Sequence, residues 1–291
     1  MKPAPFEYHS PDSLDAALAL LEEHGYDAKL LAGGQSLVPM MNFRLAQPAM
    51  LVDLNRLPQL DSIIQDSSGG IRIGAMVRQS ILEQNTLVAQ FAPLLHECVP
   101  DIAHPQIRNR GTVGGNLAHA DPASELPAVM VALQAKFRLQ RSGGDRWIAA
   151  EQFFQGLFAT DCAPEEMLVE IAVPSSAPRT GWAFEEVARR HGDYALAGVA
   201  ALATVDQGGV CTGASLVYLS AGEVPMAAPK AAGMLAGQSA SDALFEAVAE
   251  AAASEEIEPV DDIHATAEFK RHLVRVLTKR ALKRAFEKAE G

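Results

Sequence analysis

The sequence predicts an α+β protein of two domains, and three observations support this fold class. Its 291 residues are enough for about two domains. The N-terminal part alternates predicted helices and strands around two glycine-rich segments, residues 32–37 and 111–116. Beyond a proline- and serine-rich stretch at 174–178, predicted strands are followed by predicted helices, an order typical of α+β domains. We therefore expect one domain over residues 1–176 and a second over 177–291.

The N-terminal region has a clear order of predicted elements. The first helix is predicted to start at Ser10, where a proline suits the first turn, and to stop at Gly25. Its apolar residues recur at helical spacing, namely Leu14, Ala17, Leu18 and Leu21. A short strand at 28–31 leads into the first glycine segment, and a short helix follows with Met40, Met41 and Phe43. The apolar run at 50–54 predicts a buried strand.

The middle of the chain reads as two strands, several helices and further strands. Turn residues at 67–70 separate two predicted strands within residues 61–75. Two helical stretches are expected over roughly 80–99, and an apolar helix over 127–133 follows the second glycine segment. Strands are then expected towards Val173.

The C-terminal part is predicted to contain strands first and helices afterwards. The strands are expected at residues 182–190, 198–205 and 210–219, and the helices near Ala227, Ala243 and Ala267. The last helix, about 266–288, has an apolar stripe of Phe269, Leu273, Val276, Leu277 and Ala281. It is also strongly basic, with Lys270, Arg271, Arg275, Lys279, Arg280, Lys283, Arg284 and Lys288. This helix is either a contact surface for a partner or simply a solvated helix face.

Composition excludes several classes of protein. The formal net charge of −12 argues against binding to nucleic acid, whose phosphates an acidic surface repels. No run of about 18 apolar residues suggests a membrane span, and the first residues lack the apolar run of a signal peptide, so we expect a cytoplasmic protein. The three cysteines form no C-x-x-C, so neither a zinc site nor an iron–sulfur cluster is expected on this chain alone.

The first glycine segment, Ala32 to Leu37, has the composition of a phosphate-binding turn. Backbone N–H groups can hold a pyrophosphate where glycines permit close approach and positive φ angles. Ser36 adds a hydroxyl that can bond a phosphate oxygen or cap the following helix. The alternative is a plain glycine turn between a strand and a helix. Neither G-x-G-x-x-G nor a P-loop motif is present, so a Rossmann domain is not supported.

The second glycine segment is followed by an unusual density of polar side chains. Thr112, Asn116, His119, Asp121 and Ser124 can bond ribityl hydroxyls, phosphate or ring edges, and buried polar groups need such partners. The alternative is an Asx-turn that precedes a helix, with Asp121 as the helix N-cap.

Together and in this order, the two segments resemble the FAD loops of the FAD-binding medium subunits of molybdenum hydroxylases. That family includes the medium chain of carbon monoxide dehydrogenase and the flavin domain of xanthine dehydrogenase. The resemblance covers nearly the whole chain and extends to PFEY at 5–8, FRL at 43–45, RRHGDYA at 189–195 and AEFKR at 267–271. The paired glycine motifs make it specific, because either motif alone is weak.

The resemblance implies a fold and a cofactor. The expected fold is the two-part FAD-binding domain of the vanillyl-alcohol oxidase and p-cresol methylhydroxylase type, with subdomains of about 1–57 and 58–176. An antiparallel sheet with helices follows over 177–291. The implied cofactor is non-covalent FAD, bound by Ala32, Gly33, Gly34, Gln35, Ser36, Leu37, Ala103, Ile107, Thr112, Gly115, Asn116, His119, Asp121, Ser124, Glu125, Leu168 and Tyr194.

The resemblance also implies partners and a role in electron transfer. A large partner would hold the molybdenum cofactor, and a small partner would hold 2Fe-2S clusters, most simply as a dimer of heterotrimers. The flavin would be the redox centre, with Tyr194 beside the isoalloxazine and no catalytic side chain on this chain. The chain differs from the family pattern at two places. Many members have a lysine near the flavin, shortly before the paired arginines, where this chain has Glu185 and Glu186. Some members have histidine where this chain has Gln35.

Two other functions stay open at this stage. A self-contained FAD-dependent oxidoreductase would need its own substrate pocket and could recruit His119, Glu125 or His191. A flavin-free assembly protein would keep the fold as a scaffold, but the intact glycine segments argue against it. The substrate of the assembled enzyme and its electron acceptor cannot be read from this chain.

Overall fold

The computed structural model describes residues 2–291 and contains three main β-sheets. The first is a small parallel sheet with strand order β1–β3–β2. It forms from β1 (Glu7–His9), α1 (Leu14–His24), β2 (Ala28–Leu31), α2 (Leu37–Asn42) and β3 (Met50–Asp53). Helix α1 packs Ala17, Leu18 and Leu21 into the core of this sheet, as the apolar spacing predicted.

The prediction that α1 begins at Ser10 is wrong. The N-cap is Ser13, whose hydroxyl accepts a hydrogen bond from the backbone N–H of Ala16 at 3.3 Å. A serine at this position satisfies one of the free N–H groups of the first turn. The predicted end of the helix is correct, since Gly25 is the C-cap with a φ of +50°.

The second sheet is antiparallel, with strand order β4–β5–β10–β6–β7, and helices cover it. The strands of this sheet are β4 (Ile63–Gln65), β5 (Ile71–Gly74), β6 (Lys136–Arg141), β7 (Gly144–Ala149) and β10 (Met167–Val173). The same part of the chain contains the helices α3 (Gln79–Leu82), α4 (Thr86–Phe91), α5 (Pro93–Cys98), α6 (Pro105–Arg108), α7 (Val113–His119), α8 (Glu125–Ala132) and α9 (Ala150–Phe153). It also contains the short strands β8 (Phe154–Gly156) and β9 (Ala159–Thr160). Strands β8 and β9 form a separate two-stranded hairpin.

The third sheet has strand order β11–β12–β13–β14 and is antiparallel throughout. It contains β11 (Thr180–Ala188), β12 (Ala195–Val205), β13 (Cys211–Leu219) and β14 (Met226–Ala227), followed by α10 (Pro229–Gly233), α11 (Asp242–Ala251) and α12 (Ala267–Glu290). The mixture of antiparallel sheets and helices confirms the α+β prediction.

Two predictions of individual elements need correction. Where two helical stretches were expected over residues 80–99, the chain forms the three short helices α3, α4 and α5. Asn85 caps α4, and Pro93 opens α5, so local capping divides the region more finely than apolar spacing suggests. Ala227 lies in strand β14 rather than in a helix, because α10 begins only at Pro229.

The third sheet lies between two helical layers, and this arrangement positions the candidate site. Alternate residues of its strands face opposite sides, as the pleat of a β-strand requires. On β11, Phe184 packs toward α5 and α8, whereas Ala183 packs into the core formed with α11 and α12. The central strand β12 is almost continuously buried, which explains its nearly unbroken apolar sequence.

Helix α12 is not a free basic surface. Six of the eight basic residues named above donate hydrogen bonds to other groups of the chain. Three of them form ion pairs close to the helix, namely Lys270 with Asp262, Arg275 with Glu250 and Lys279 with Glu246. The hydrophobic face also differs from the predicted stripe, since Phe269 is 46% exposed while Lys270 is buried. The buried face includes Leu273, Val274, Leu277, Ala281, Leu282, Ala285, Phe286 and Ala289.

A charged network covers the open edge of β11. One carboxylate oxygen of Glu97, on α5, accepts hydrogen bonds from the Phe184 N–H at 3.0 Å and from Arg284 at 2.7 Å. Arg284 also donates to the Phe184 carbonyl at 3.1 Å and pairs with Glu185 at 2.6 Å. Lys288 pairs with the other carboxylate oxygen of Glu97 at 2.5 Å. The network therefore joins α5, β11 and α12 around backbone groups that an edge strand leaves unpaired.

We expect Glu97→Ala to lower the free energy of unfolding by about 2–3 kcal/mol. The substitution leaves the Phe184 N–H and two cations without their shared acceptor, in a region where the glutamate side chain is only 23% exposed. Urea denaturation of both proteins measures the difference. Glu250→Ala is the matched control; its side chain is 55% exposed and its loss should cost no more than about 1 kcal/mol. Equal effects of the two substitutions would contradict this role for Glu97.

Candidate functional site

The two glycine segments pack directly against each other, backbone to backbone. A Cβ atom on Gly33 would lie 2.4 Å from the Arg110 carbonyl oxygen and 2.8 Å from the Gly111 Cα. Nearby, a Cβ on Gly115 would lie 3.3 Å from the Cβ of Ala32. Only residues without side chains permit this approach. The structure therefore brings together the two segments that the sequence singled out.

The first segment turns sharply between β2 and α2. Gly34 has a φ of +72°, a conformation that side-chain-bearing residues rarely adopt, and the Gln35 side chain donates to the Gly33 carbonyl at 3.0 Å. Ser36 stands at the N-cap of α2, which Leu37 begins. Among residues 2–291, the first turn of α2 donates no hydrogen bond to the Ser36 hydroxyl, so the capping alternative is not observed.

The second segment forms the start of helix α7 rather than an extended loop. Thr112 is its N-cap and accepts a hydrogen bond from the Gly115 N–H at 3.1 Å. Gly114 lies against β5, since a Cβ there would be 2.5 Å from the Cβ of Ala75. One turn later, the Asn116 side-chain oxygen accepts a hydrogen bond from the Ser124 hydroxyl at 2.8 Å. Small residues and caps thus fix where α7 starts.

Asp121 forms the predicted Asx-turn but is not the helix N-cap. Its carboxylate accepts a hydrogen bond from the Ala123 N–H at 2.9 Å, and its carbonyl accepts one from the Ser124 N–H at 3.0 Å. Helix α8 begins at Glu125, so Ser124 occupies the N-cap position. The expected turn is present, and the cap lies three residues further along the chain.

Aromatic side chains border the end of α7. The His119 ring contacts the Phe158 ring, with centroids 5.0 Å apart, and Phe158 is on the β8–β9 hairpin with a φ of +54°. Burial lowers the pKa of His119, although the neighbouring Asp121 carboxylate opposes the shift. Tyr194 is 64% exposed as a whole residue. Partial burial of its phenol group is nevertheless the main cause of its raised pKa, and the Asp121 and Glu125 carboxylates add to the shift.

The turn between β11 and β12 lies against the loop before α6. Gly192 has a φ of +83°, and a Cβ there would lie 2.4 Å from the His104 ring and 2.8 Å from the Ala103 carbonyl oxygen. Ala103 itself has a φ of +43°. This contact brings Tyr194 to the same side of the molecule as Ala103 and Ile107, two residues named by the resemblance. Leu168, by contrast, lies on β10 inside the apolar core and is only 5% exposed.

Three residues near the glycine segments were missed by sequence reasoning. Asn55 donates to the Ala32 carbonyl at 3.0 Å, while Arg78 donates both to the Asn55 side chain at 2.5 Å and to the Arg110 carbonyl. Together they tie the first glycine segment to the second. Isolated asparagine and arginine residues carry no motif, so only their position along the folded chain reveals them.

A cavity opens beside this junction. Its volume is about 400 Å³, and Leu31, Ala32, Gly33, Gly34, Gln35, Val38, Pro39, Asp53, Asn55 and Arg110 line it. A second cavity of about 400 Å³ lies next to it, lined in part by Asn55, Asp61 and Arg78. Glycine backbone and one arginine on the wall of a concave site suit an extended ligand that carries phosphates.

Glu185 and Glu186 are adjacent on β11, and their side chains point in opposite directions. Glu185 faces α12 and pairs with Arg284. Glu186 has the opposite orientation and is largely buried, and burial, with Glu125 and Asp101 close by, raises its pKa to about 8. Burial likewise raises the pKa of Glu125 to about 7, with Asp101 and Asp121 contributing.

The residues present fit a dinucleotide flavin. Side chains at Gly33 or Gly115 would fill the space between the two segments. Gly34 has a positive φ, a backbone conformation that glycine readily adopts.

The three cysteines, Cys98, Cys162 and Cys211, are free thiols. No cluster of three or more potential metal ligands occurs within the described part of the chain. In residues 2–291, no helix combines the length and hydrophobicity needed to cross a membrane.

Comparison with known proteins supports the same cofactor. Residues 4–176 match the family described as "FAD binding domain in molybdopterin dehydrogenase", and residues 182–285 match "CO dehydrogenase flavoprotein C-terminal domain". The chain is 41% identical over 289 residues to the 6-hydroxypseudooxynicotine dehydrogenase complex subunit alpha of Paenarthrobacter nicotinovorans, covering 99% of this chain and 97% of that protein.

Two further relatives show how widely the likeness extends. Caffeine dehydrogenase subunit beta of Pseudomonas sp. strain CBB1 is 38% identical, covering 99% of this chain and 97% of that protein. A carbon monoxide dehydrogenase structure from Hydrogenophaga pseudoflava, which lacks the Mo-pyranopterin moiety, superposes with a TM-score of 0.95 at 40% identity. That superposition covers 99% of each chain. The chain therefore belongs to the FAD-binding medium subunits of the molybdenum hydroxylase family, and it is a subunit of an FAD-dependent oxidoreductase.

Proposed function

We propose that this chain is the flavin subunit of a heteromeric molybdenum hydroxylase that takes electrons from a partner and delivers them to an external acceptor. The observation that carries the proposal is the backbone packing of Gly33 against residues 110–111, which builds an extended concave site from two separate segments.

We propose specific roles for the residues that surround this site. Residues 32–37 would hold the pyrophosphate through backbone N–H groups, with Arg110 adding positive charge. Tyr194 would lie beside the isoalloxazine, where an aromatic ring suits stacking. When bound, FAD supplies two-electron redox chemistry, and the protein supplies position and electrostatics. The remaining contacts would come from Ala103, Ile107, Thr112, Gly115, Asn116, His119, Asp121, Ser124, Glu125 and Leu168.

The partners follow from the same proposal. A large subunit would hold the molybdenum cofactor and a small subunit the 2Fe-2S clusters, assembled as a dimer of heterotrimers. The three relatives described above are named for 6-hydroxypseudooxynicotine, caffeine and carbon monoxide, at 41%, 38% and 40% identity. Such different names at similar identity support the proposal that substrate choice resides outside this subunit. The domain division at residue 176 and the cytoplasmic location stay predictions.

The first glycine segment can be tested with Gly34→Val. Valine at a φ of +72° is strained by on the order of 1–2 kcal/mol, and its Cβ would lie 3.2 Å from Leu31 and Val38 at the proposed phosphate site. We expect the bound FAD per chain, measured by absorbance after gel filtration, to fall at least about tenfold.

Gly143→Val is the matched control for this experiment. Gly143 has a φ of +79° in the turn between β6 and β7, and a Cβ atom there would point into open space, so the substitution imposes a similar strain far from the site. This variant should lose comparable stability and keep its FAD. Full FAD content in Gly34→Val, or equal losses in the two variants, would show that residues 32–37 do not hold the cofactor.

We expect the FAD to be bound without a covalent link. His119 is the only obvious candidate for attachment near the second glycine segment, and its ring is occupied by contact with Phe158. Acid precipitation should therefore release all of the yellow colour into the supernatant. Colour that stays in the pellet of the wild type, and is lost in His119→Ala, would establish a covalent bond instead.

The proposed complex predicts what accompanies the chain in its native cells. Purification at low salt through a tag on this chain should recover a large and a small partner in equal amounts, together with molybdenum and iron by metal analysis. Substrate turnover should be found only in the complex, because this chain would have no source of substrate electrons by itself. A single isolated chain with full substrate turnover would favour the alternative of a self-contained flavoprotein.

A further inference from the structure

Two acidic side chains meet at the junction between the third sheet and the helices of the second. Glu125 is the first residue of α8 and is only 6% exposed. Glu186 is two residues from Phe184 on β11, so it shares the face that packs toward α5 and α8. Opposite it on β12 is Gly198, where a Cβ would lie 3.1 Å from the Cβ of Glu186. A Cβ at Gly198 would lie still closer to Leu219, at 2.5 Å, so the glycine lets both neighbouring side chains pack over β12.

Among the described residues, no cation pairs with Glu125 or Glu186, although His191 and Arg108 act on the neighbouring Asp101. One oxygen of Glu186, Oε2, is buried without a hydrogen-bond partner, and neither glutamate forms an ion pair within residues 2–291. The titratable groups around Glu186 are themselves acidic, namely Glu125 on α8 and Asp101 after α5. Cys98 of α5 is buried beside the same acids, which together with burial raise its pKa. Two nearby acids in such a site cannot both ionise readily.

Burial, together with the neighbouring acids, raises the pKa of Glu186 to about 8 and that of Glu125 to about 7. A carboxyl group in such surroundings binds its proton more tightly than an exposed carboxyl group does. Because the two groups interact, we expect them to titrate as a pair.

The position of the pair relates it to the flavin. The Asp121 and Glu125 carboxylates both help to raise the pKa of Tyr194, so Glu125 lies toward the Tyr194 end of the site. A carboxyl group near a reduced flavin can bind a proton and so change its charge, which a fixed cation cannot do.

We propose that Glu125 and Glu186 form a proton-binding pair that takes up one proton when the bound flavin is reduced by two electrons. The proposal rests on the isoalloxazine position proposed above. The electrons would come from a reduced iron–sulfur centre or a chemical reductant. The proton would come from the solvent buffer and would form an O–H bond on whichever carboxylate of the pair is ionised beforehand. It thereby offsets the negative charge that reduction leaves on the flavin ring.

The first experiment uses the full chain without FAD and measures unfolding in urea from pH 5 to pH 9. The pKa of Glu186 is 4.5 in the unfolded protein and about 8 in the folded protein. Its contribution to the free energy of unfolding is therefore fully present below pH 4.5 and is lost as the pH rises through 8. Relative to Glu186→Gln, the wild type should lose roughly tenfold or more in its folding equilibrium constant across this range.

Glu185→Gln is the matched control, since it changes the adjacent residue, which faces α12 and pairs with Arg284. This variant should lose stability by a similar amount throughout the range, without the pH dependence that distinguishes Glu186→Gln. If the wild type and Glu186→Gln change in parallel with pH, the buried pair does not hold a proton and the proposal is wrong.

The second experiment uses the FAD-loaded chain and measures the flavin midpoint potential against pH from 6 to 9. Around pH 7 to 8, the wild type and Glu185→Gln should take up one more proton per two electrons than Glu186→Gln does. Equal slopes in all three proteins would show that the pair is not coupled to the flavin, and would overturn the proposal. A chain that binds no FAD would instead contradict the proposed function, whereas the urea experiment would still report on the pair.

Discussion

The site depends on one steric constraint, the close approach of two backbone segments that are far apart in sequence. Gly33 lies so near Arg110 and Gly111 that even one added carbon atom would separate them. Asn55 and Arg78 then fasten the junction with hydrogen bonds to backbone and side-chain oxygens. A cofactor with two phosphates needs backbone N–H groups from a turn, and this contact brings the second segment beside that turn. The glycines thus permit the close packing on which the proposed phosphate site depends.

The third sheet is held to the rest of the chain by both apolar and ionic contacts. One face of the sheet packs with α5 and α8 and the other with α11 and α12, so its central strand has no polar face. At the edge of β11, Glu97 and Arg284 satisfy the backbone groups of Phe184. The basic residues of α12 therefore mainly stabilise this chain.

The junction between the two parts contains buried carboxyl groups that no cation pairs with among the described residues. Glu125 is only 6% exposed, and one side-chain oxygen of Glu186 has no hydrogen-bond partner there. A fixed positive charge beside a reduced flavin would act in the same way at every pH, whereas the proposed acidic pair would act by binding a proton from solvent.

The sequence by itself determined the α+β class, the FAD cofactor and the family, because glycine-rich segments and apolar spacing are local signals. It also located most strands and the end of α1 at Gly25. Only the tertiary structure decided that Asn55, Arg78 and Arg110 surround the site, since isolated polar residues carry no pattern. It likewise revealed that the cations of α12 are paired and that Glu186 points inward while Glu185 does not. These properties depend on which side chains meet across elements distant in sequence, and no local spacing encodes such meetings.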